Sequence, residues 1–323
     1  MSVLVLSEGE VRRLLDMESC IDAMANVLAA LARDELSMPL RFVMRPESTT
    51  NLMGFMPAFR GGPGPLFSLK EIVIAPANST RGLDPHQGAV LLHDGETGRL
   101  QAILNASAIT EIRTAAVSAV ATRLLARPGA RRVAILGAGV QGRSHVHAMR
   151  AVLDDPEIVI WSRTPARAAR LAEDTGSATA ATVAEVLAAA EIVCTTTASR
   201  DPIVRREWLS PGAHVNAVGS SIRTARELDS ATVAAASLFV DRRESTVNES
   251  GDYLSALAEG AIAGPEHIRA ELGELLTGTR PGRTSPEELT LFKSLGLAVE
   301  DLAAAELCVE RARELGVGTE VDF

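Results

Sequence analysis

Apolar residues recur at helical spacing through residues 11–33, at Val11, Leu14, Leu15, Ile21, Met24, Val27, Leu28 and Leu31, and predict an amphipathic helix or helix pair. The period then shortens. Between Met38 and Leu104 the apolar runs are short and β-like, the clearest covering residues 67–74 and 89–93. Gly61-Gly-Pro-Gly-Pro65, Arg81-Gly-Leu-Asp-Pro85 and Asp94-Gly-Glu-Thr-Gly98 separate them, and such clusters mark turns, so this stretch reads as a mixed sheet. Residues 109–125 are alanine-rich and helical, and Arg127-Pro-Gly129 ends that helix.

From residue 131 strands and helices alternate, with strands at 133–136, 158–161, 192–196, 214–218 and 238–240 and helices at 140–153, 165–174 and 182–189. Such alternation predicts a doubly wound parallel sheet with helices on both faces, whose ligands sit beyond the carboxyl ends of the strands. A last helical pattern at 297–315 is read as returning to the first part. At 323 residues the chain exceeds the roughly 250–300 at which single cores stop growing, so two domains sharing a cleft are expected. The fold class is α/β: a Rossmann sheet plus an α+β domain, bridged by the 109–125 helix.

Composition narrows the function. A hydrophobic content of 46%, 23% charged residues and a mean hydropathy of +0.13 describe an ordinary folded chain. A net charge of -9 and a pI near 5.3 oppose a surface that binds nucleic acid by neutralising phosphates. Cys20, Cys194 and Cys308 are odd in number and lack C-x-x-C spacing, so buried reduced thiols are expected instead of disulfides or a thiolate metal site. The start Met1-Ser-Val-Leu-Val-Leu-Ser-Glu8 carries no basic leader, and no apolar run approaches the roughly 18 residues of a membrane span; a cytoplasmic location without membrane partners is expected. Of 32 basic residues 30 are Arg, which leaves Lys70 and Lys293. Base composition accounts for much of that bias. A compact ammonium with a shiftable pKa is nonetheless something guanidinium cannot supply, so both lysines are chemical candidates.

The segment Arg131-Arg-Val-Ala-Ile-Leu-Gly137-Ala-Gly139-Val-Gln141-Gly142 sets G-x-G-x-x-G between an apolar strand and a helix, the context a dinucleotide site needs. Gly137 permits the tight turn, Gly139 lets backbone approach a pyrophosphate and Gly142 packs helix on strand, while Val140 and Gln141 sit on the turn and the helix N-terminus attracts the anion. The next strand runs into Ser162-Arg163-Thr164, with no carboxylate for a ribose 2′-hydroxyl and with a guanidinium and two hydroxyls suited to a 2′-phosphate. NADP(H) is therefore expected, with NAD(H) as the alternative. Thr195-Thr-Thr197 and Asn216-Ala-Val-Gly219-Ser220-Ser221 fall at the same end of the sheet, as nicotinamide-pocket candidates or as ordinary turn residues. His145 and His147, two apart on a helix, point about 200° apart and cannot share a metal. His86 and His93 have no partner at ligand spacing, and no G-x-S-x-G elbow is present.

With Met38-Pro-Leu-Arg41, Leu69-Lys70, Asn78-Ser-Thr-Arg-Gly82-Leu-Asp-Pro-His-Gln-Gly88, Thr110-Glu-Ile-Arg113-Thr-Ala-Ala116, Glu227-Leu-Asp229 and Phe292-Lys-Ser-Leu-Gly296 added, the chain resembles the ornithine cyclodeaminase/μ-crystallin family over essentially its whole length. The resemblance implies a substrate-binding and dimerisation domain at 1–115, completed by 305–323, around a Rossmann domain at 116–304, and a homodimer. It implies that Arg41, Lys70 and Arg113 grip the substrate α-carboxylate, with Lys70 and Arg113 catalytic and Met56 and Leu295 beside the substrate. Lys70 then also moves a proton at the substrate nitrogen. Thr114, Thr197, Val218, Gly219 and Ser294 join Gly137, Gly139, Val140, Gln141, Gly142, Ser162, Arg163 and Thr164 as cofactor-binding positions, and no metal is expected. Lys293 matches no such position and is read as structural.

The chain departs from the cyclodeaminase pattern in one place. A catalytic aspartate follows V-G-G there, whereas this chain has Val218-Gly219-Ser220-Ser221, and serine cannot supply a carboxylate. The resemblance thus implies an NADPH-dependent reductase of a small α-imino acid, of ketimine reductase or amino-acid dehydrogenase type. The alternatives are an NAD-dependent ornithine cyclodeaminase and a non-catalytic protein that binds NADP and a small ligand. For the substrate side chain, Arg45, Met53, Phe55, Met56 and His86 lie near the motifs, and Arg45 either meets a second carboxylate or faces solvent.

Overall fold

The structure, a computed structural model, describes residues 2–323. It divides into two compact units, one running to Arg113 and resuming with Leu297–Phe323, the other Thr114–Gly296. The sequence reading places the return to the first unit at residue 305. Ala298–Leu315 is one continuous helix ended by Gly316 in the left-handed region (φ 63°), so its first turn goes with the rest of the rod.

In the first unit the amphipathic start is a helix pair, Glu8–Leu14 and Met17–Ala32. The break falls where Asp16 accepts from the Ser19 N–H at 2.9 Å and caps the second helix; Ser7 and Glu10 form a capping box on the first. The sheet runs in space Thr319–Asp322, Ser2–Leu6, Leu100–Asn105, His86–Asp94, Leu66–Ile74, Leu52–Arg60, Leu36–Ser37, with Phe42–Met44 also paired to Leu52–Arg60. Only the pair of Ser2–Leu6 with Leu100–Asn105 is parallel. Helix 298–315 packs on helix 17–32 and across the three long strands. Strand alternation then sorts side chains: Leu66, Ser68, Lys70 and Ile72 are buried on one face, while Phe67 is exposed on the other and stacks on Phe59 at 4.5 Å.

The second unit is a parallel sheet of eight strands. Its spatial order is Ala178–Thr179, Glu157–Trp161, Arg132–Leu136, Ile192–Thr195, His214–Ala217, Thr290–Lys293, Ser237–Val240, Ile268–Glu271. The chain reverses direction of growth between Arg132–Leu136 and Ile192–Thr195, the switch point at which such sheets bind ligands. The strands are apolar almost throughout, as burial on both faces requires: Ala134, Leu136, Val193, Val215, Ala217, Leu238, Val240 and Leu291 are all core residues. Strands 178–179, 268–271 and 290–293 lie outside the sequence reading. Thr290–Lys293 is inserted between two strands of much earlier sequence, and four residues carry too little period to announce it. All three cysteines are buried thiols. Among the described residues no helix is long and apolar enough to cross a membrane.

Candidate functional site

The glycine loop follows strand Arg132–Leu136 and opens helix Val140–Val152, with Gly139 as its N-cap. Gly137 holds φ 122°, and a Cβ there would lie 2.7 Å from the Thr196 carbonyl; a Cβ on Gly142 would lie 2.0 Å from the Gly137 carbonyl. Both positions exclude every other residue on packing grounds. Gly139 is different, because a Cβ there would meet nothing within 4 Å. The open space above Gly139 faces a helix start that has no side-chain cap and no acid in its first turn. Backbone N–H groups are left for an anion, and these residues fit the pyrophosphate of a dinucleotide.

The neighbouring strand ends complete this rim. Gly137 N–H donates to the Trp161 carbonyl at 2.8 Å, which sets the turn beside Ser162, Arg163 and Thr164. Arg163 and Thr164 are exposed, and Ser162 Oγ accepts from the Thr164 N–H at 3.3 Å. Thr196 N–H donates to the Leu136 carbonyl at 2.8 Å, and Ser294 N–H to that of Ala217 at 3.0 Å. The predicted positions Gly137 to Gly142, Thr197, Val218, Gly219 and Ser294 therefore follow the carboxyl ends of four adjacent strands. Leu295 stands next to Ser294 in this unit. Thr114 is buried in helix Ala106–Leu125.

Behind the rim lies a buried polar network that the sequence reading misses. Glu227 Oε1 accepts from the Thr197 N–H and hydroxyl, both at 2.7 Å; its Oε2 accepts from the Thr195 hydroxyl at 2.6 Å and the Gly219 N–H at 2.8 Å. One carboxylate thus ties two strand ends together. Burial pushes the Glu227 carboxyl up in pKa, against the pull of Lys293 and the two threonine hydroxyls. Lys293 pairs with Asp252 at 3.0 Å, and Asp252 accepts from the N–H groups of Glu227 and Leu228 at 2.8 and 3.0 Å. Asp241 likewise anchors Leu295 and Gly296 through their N–H groups at 2.6 and 2.8 Å. The Glu227-Leu-Asp229 word held this signal, since a buried acid beside loop glycines needs donors. His145 is buried between Ser118 (2.9 Å) and the Gln141 carbonyl (2.8 Å), with its pKa pushed down to about 4 by burial, while His147 is exposed.

The first unit holds a second polar centre. Lys70 Nζ lies 2.6 Å from Asp301 Oδ2, Arg113 Nε donates to Asp301 Oδ1 at 2.9 Å, and Arg113 NH1 donates to Glu300 Oε2 at 3.0 Å. All four are buried, none more than 4% exposed. Arg41, half-buried just before strand Phe42–Met44, acts electrostatically on Lys70. Desolvation lowers the Lys70 pKa to about 8, with Arg113 and Arg41 adding to it and Asp301 opposing. Asp301 is held below the usual carboxylate range by Lys70 and Arg113, which together outweigh its burial. Met56 pairs directly across from Lys70, on the same face. Met53 and Phe55 differ from it by odd steps and take the opposite face, where Phe55 meets Phe42 at 6.0 Å. Arg45 and His86 are exposed. Arg41, Met56, Lys70 and Arg113 thus share the first unit, and Leu295 does not. Glu300 and Asp301 escape the sequence reading; their only trace is acid in the first turn of a helix.

Among the described residues no group of three or more His, Cys, Asp or Glu is placed to hold a metal ion. The model of the ornithine cyclodeaminase/mu-crystallin family matches residues 1–316. The chain is 39% identical over 271 residues to the ketimine reductase mu-crystallin of Mus musculus, covering 83% of each. It is similar in structure to the Δ1-pyrroline-2-carboxylate reductase of Thermococcus litoralis, solved with NADH and L-proline (TM-score 0.94, 35% identity, 99% of this chain and 100% of that one). It is also similar to the iminosuccinate reductase of Paracoccus denitrificans, solved with NAD+ (TM-score 0.91, 30% identity, both chains covered in full).

Proposed function

Because this chain belongs to the ornithine cyclodeaminase/mu-crystallin family, we propose that it is an NADPH-dependent oxidoreductase that reduces the C=N bond of a small α-imino acid, working as a cytoplasmic homodimer. The observation that carries the reading is the buried pair Lys70 and Arg113 in the first unit, with the half-buried Arg41 close enough to act on Lys70. Two guanidinium groups and an ammonium suit a carboxylate and orient the carbon beside it. The dinucleotide, when bound, supplies the hydride that goes to the imine carbon. Lys70 supplies the proton that goes to the imine nitrogen, and a pKa lowered to about 8 keeps it protonated at neutral pH yet ready to transfer. Arg113, held by two carboxylates, fixes the direction in which the substrate carboxylate is read. Ser221 supports reduction over ornithine cyclisation: it stands where V-G-G-D has its aspartate, and a serine supplies no carboxylate.

The test is oxidation of NADPH against a panel: pyruvate with ammonia or methylamine, Δ1-pyrroline-2-carboxylate, Δ1-piperideine-2-carboxylate and iminosuccinate. Turnover with at least one imine is expected, and silence across the panel overturns the reading. NADPH preference is assigned to Arg163, with Ser162 and Thr164. Arg163→Ala is expected to lower kcat/KM for NADPH by about 10- to 100-fold, the worth of a charge-assisted hydrogen bond, and to leave NADH unchanged. A wild-type enzyme that prefers NADH removes Arg163 from this role.

A further inference from the structure

We propose that Glu227 is a positioning residue for the nicotinamide end of the cofactor: it holds the loops after strands Ile192–Thr195 and His214–Ala217 in the shape that receives the nicotinamide ring. The inference rests on the reading of the second unit as the dinucleotide site. A Rossmann sheet is built from two halves, and each half takes one mononucleotide across the switch point. Strands Arg132–Leu136, Glu157–Trp161 and Ala178–Thr179 form the half that carries Gly137 to Gly142 and Arg163. The strands beyond the switch point begin with Ile192–Thr195 and His214–Ala217, and Glu227 reaches the ends of both.

Glu227 is built as a fixed post. It is fully buried, its N–H donates to Asp252 Oδ1 at 2.8 Å, and its carbonyl accepts from the N–H groups of Ile203 and Val204 at 2.8 and 2.9 Å. The carboxylate therefore cannot retreat. Each of its oxygens faces one backbone N–H, that of Thr197 on Oε1 and that of Gly219 on Oε2. An N–H can only donate, so both oxygens have to accept, which a carboxylate does and an amide cannot. The sheet itself does not need these bonds. Its ladder already joins the two strands as far as Thr195 and Ala217, and the carboxylate acts past that last pair, on residues 197 and 219. The loops also touch directly, because a Cβ on Gly219 would lie 2.0 Å from the Thr197 carbonyl. Gly219 N–H is shared with the Thr195 carbonyl at 3.1 Å, which ties the second loop back to the first strand. Burial raises the Glu227 pKa, and Lys293, held by Asp252 at 3.0 Å, opposes that rise.

The experiment measures, by calorimetry on the full chain, the binding of NADPH and of 2′-phospho-ADP-ribose, the same cofactor without its nicotinamide. NADH and ADP-ribose replace them if the wild type prefers NADH. The wild type is expected to bind the whole cofactor about tenfold or more tighter than the fragment, a factor that one charge-assisted contact supplies. Glu227→Gln keeps the volume and aims an amide N–H at a backbone N–H. It is expected to lose most of that difference, to leave the fragment Kd within about twofold of wild type, and to lower kcat for imine reduction at saturating cofactor. A general loss of packing weakens both ligands together. Thr197→Val removes one hydroxyl donor and keeps the backbone N–H, so it narrows the difference by a smaller factor and serves if Glu227→Gln does not fold. Wild-type protein that binds fragment and cofactor equally, or folded variants that keep the difference or weaken both ligands alike, overturn the proposal. Wild-type binding of none of the four ligands overturns the dinucleotide reading with it. Absence of imine-dependent oxidation, with the binding difference and its loss in Glu227→Gln intact, overturns the reductase reading alone.

Discussion

Lys70→Met lowers kcat for imine reduction by about 10²- to 10⁴-fold, the range in which a positioned proton donor acts, and leaves NADPH affinity within about twofold. Methionine matches the length and volume of lysine and removes only the ammonium. The residues proposed for the dinucleotide lie in the other unit, so fluorescence titration with NADPH separates lost chemistry from a lost fold. The variant is also less stable, because Asp301 keeps Arg113 but loses the Lys70 pair at 2.6 Å, and stripping a buried ion of a partner costs about 3–5 kcal/mol. The pH dependence carries a matching sign. A lysine lowered from 10.5 to about 8 in the folded state gives up its proton at a lower pH than it does in the unfolded chain, so kcat/KM falls above about pH 8. Over the window from about 8 to 10.5 the unfolded chain holds the extra proton, and this group makes stability rise with pH. Activity and stability therefore diverge in alkali. A Lys70→Met enzyme with near-normal turnover removes the residue from the mechanism.

Gly139→Asp is the second large effect, and it acts on binding alone. The new Cβ meets nothing within 4 Å, so the second unit folds with an unchanged Tm. The carboxylate then occupies the helix start that the pyrophosphate needs, replacing attraction with repulsion and raising the NADPH Kd by more than about 100-fold. Gly142→Ala gives the opposite pattern. Its Cβ would stand 2.0 Å from the Gly137 carbonyl, so the helix must lift off the strand and thermal stability falls with affinity. Unaltered NADPH binding by Gly139→Asp would show that the dinucleotide does not cross this turn.

How much of this was legible in the sequence depended on whether a feature repeats. The helix pair, the long antiparallel strands and the first Rossmann strands announced themselves by period and by punctuation at Gly and Pro. Strand Thr290–Lys293 did not, because four residues show no period and its neighbours in the sheet lie far away in sequence. Ser2–Leu6 was equally silent, since its partners are residues 100–105 and 319–322. Lys70 stood out by scarcity in an arginine-rich chain. Its counter-ion Asp301 sits 231 positions later in an ordinary acidic helix turn, and only folding reveals the pair. The same holds for Glu227, whose four donors come from two separate strand ends.

The first unit is discontinuous, and that has a consequence for how the chain is made. Its early residues leave the ribosome with Lys70 and Arg113 but without Glu300, Asp301 or the edge strand Thr319–Asp322 that pairs with Ser2–Leu6. The middle unit is synthesised whole before those pieces appear, so order of synthesis favours its folding first. Until the last helix emerges, Lys70 and Arg113 lack their native counter-ions. A chain cut short before residue 298 therefore lacks both carboxylates that pair with Lys70 and Arg113.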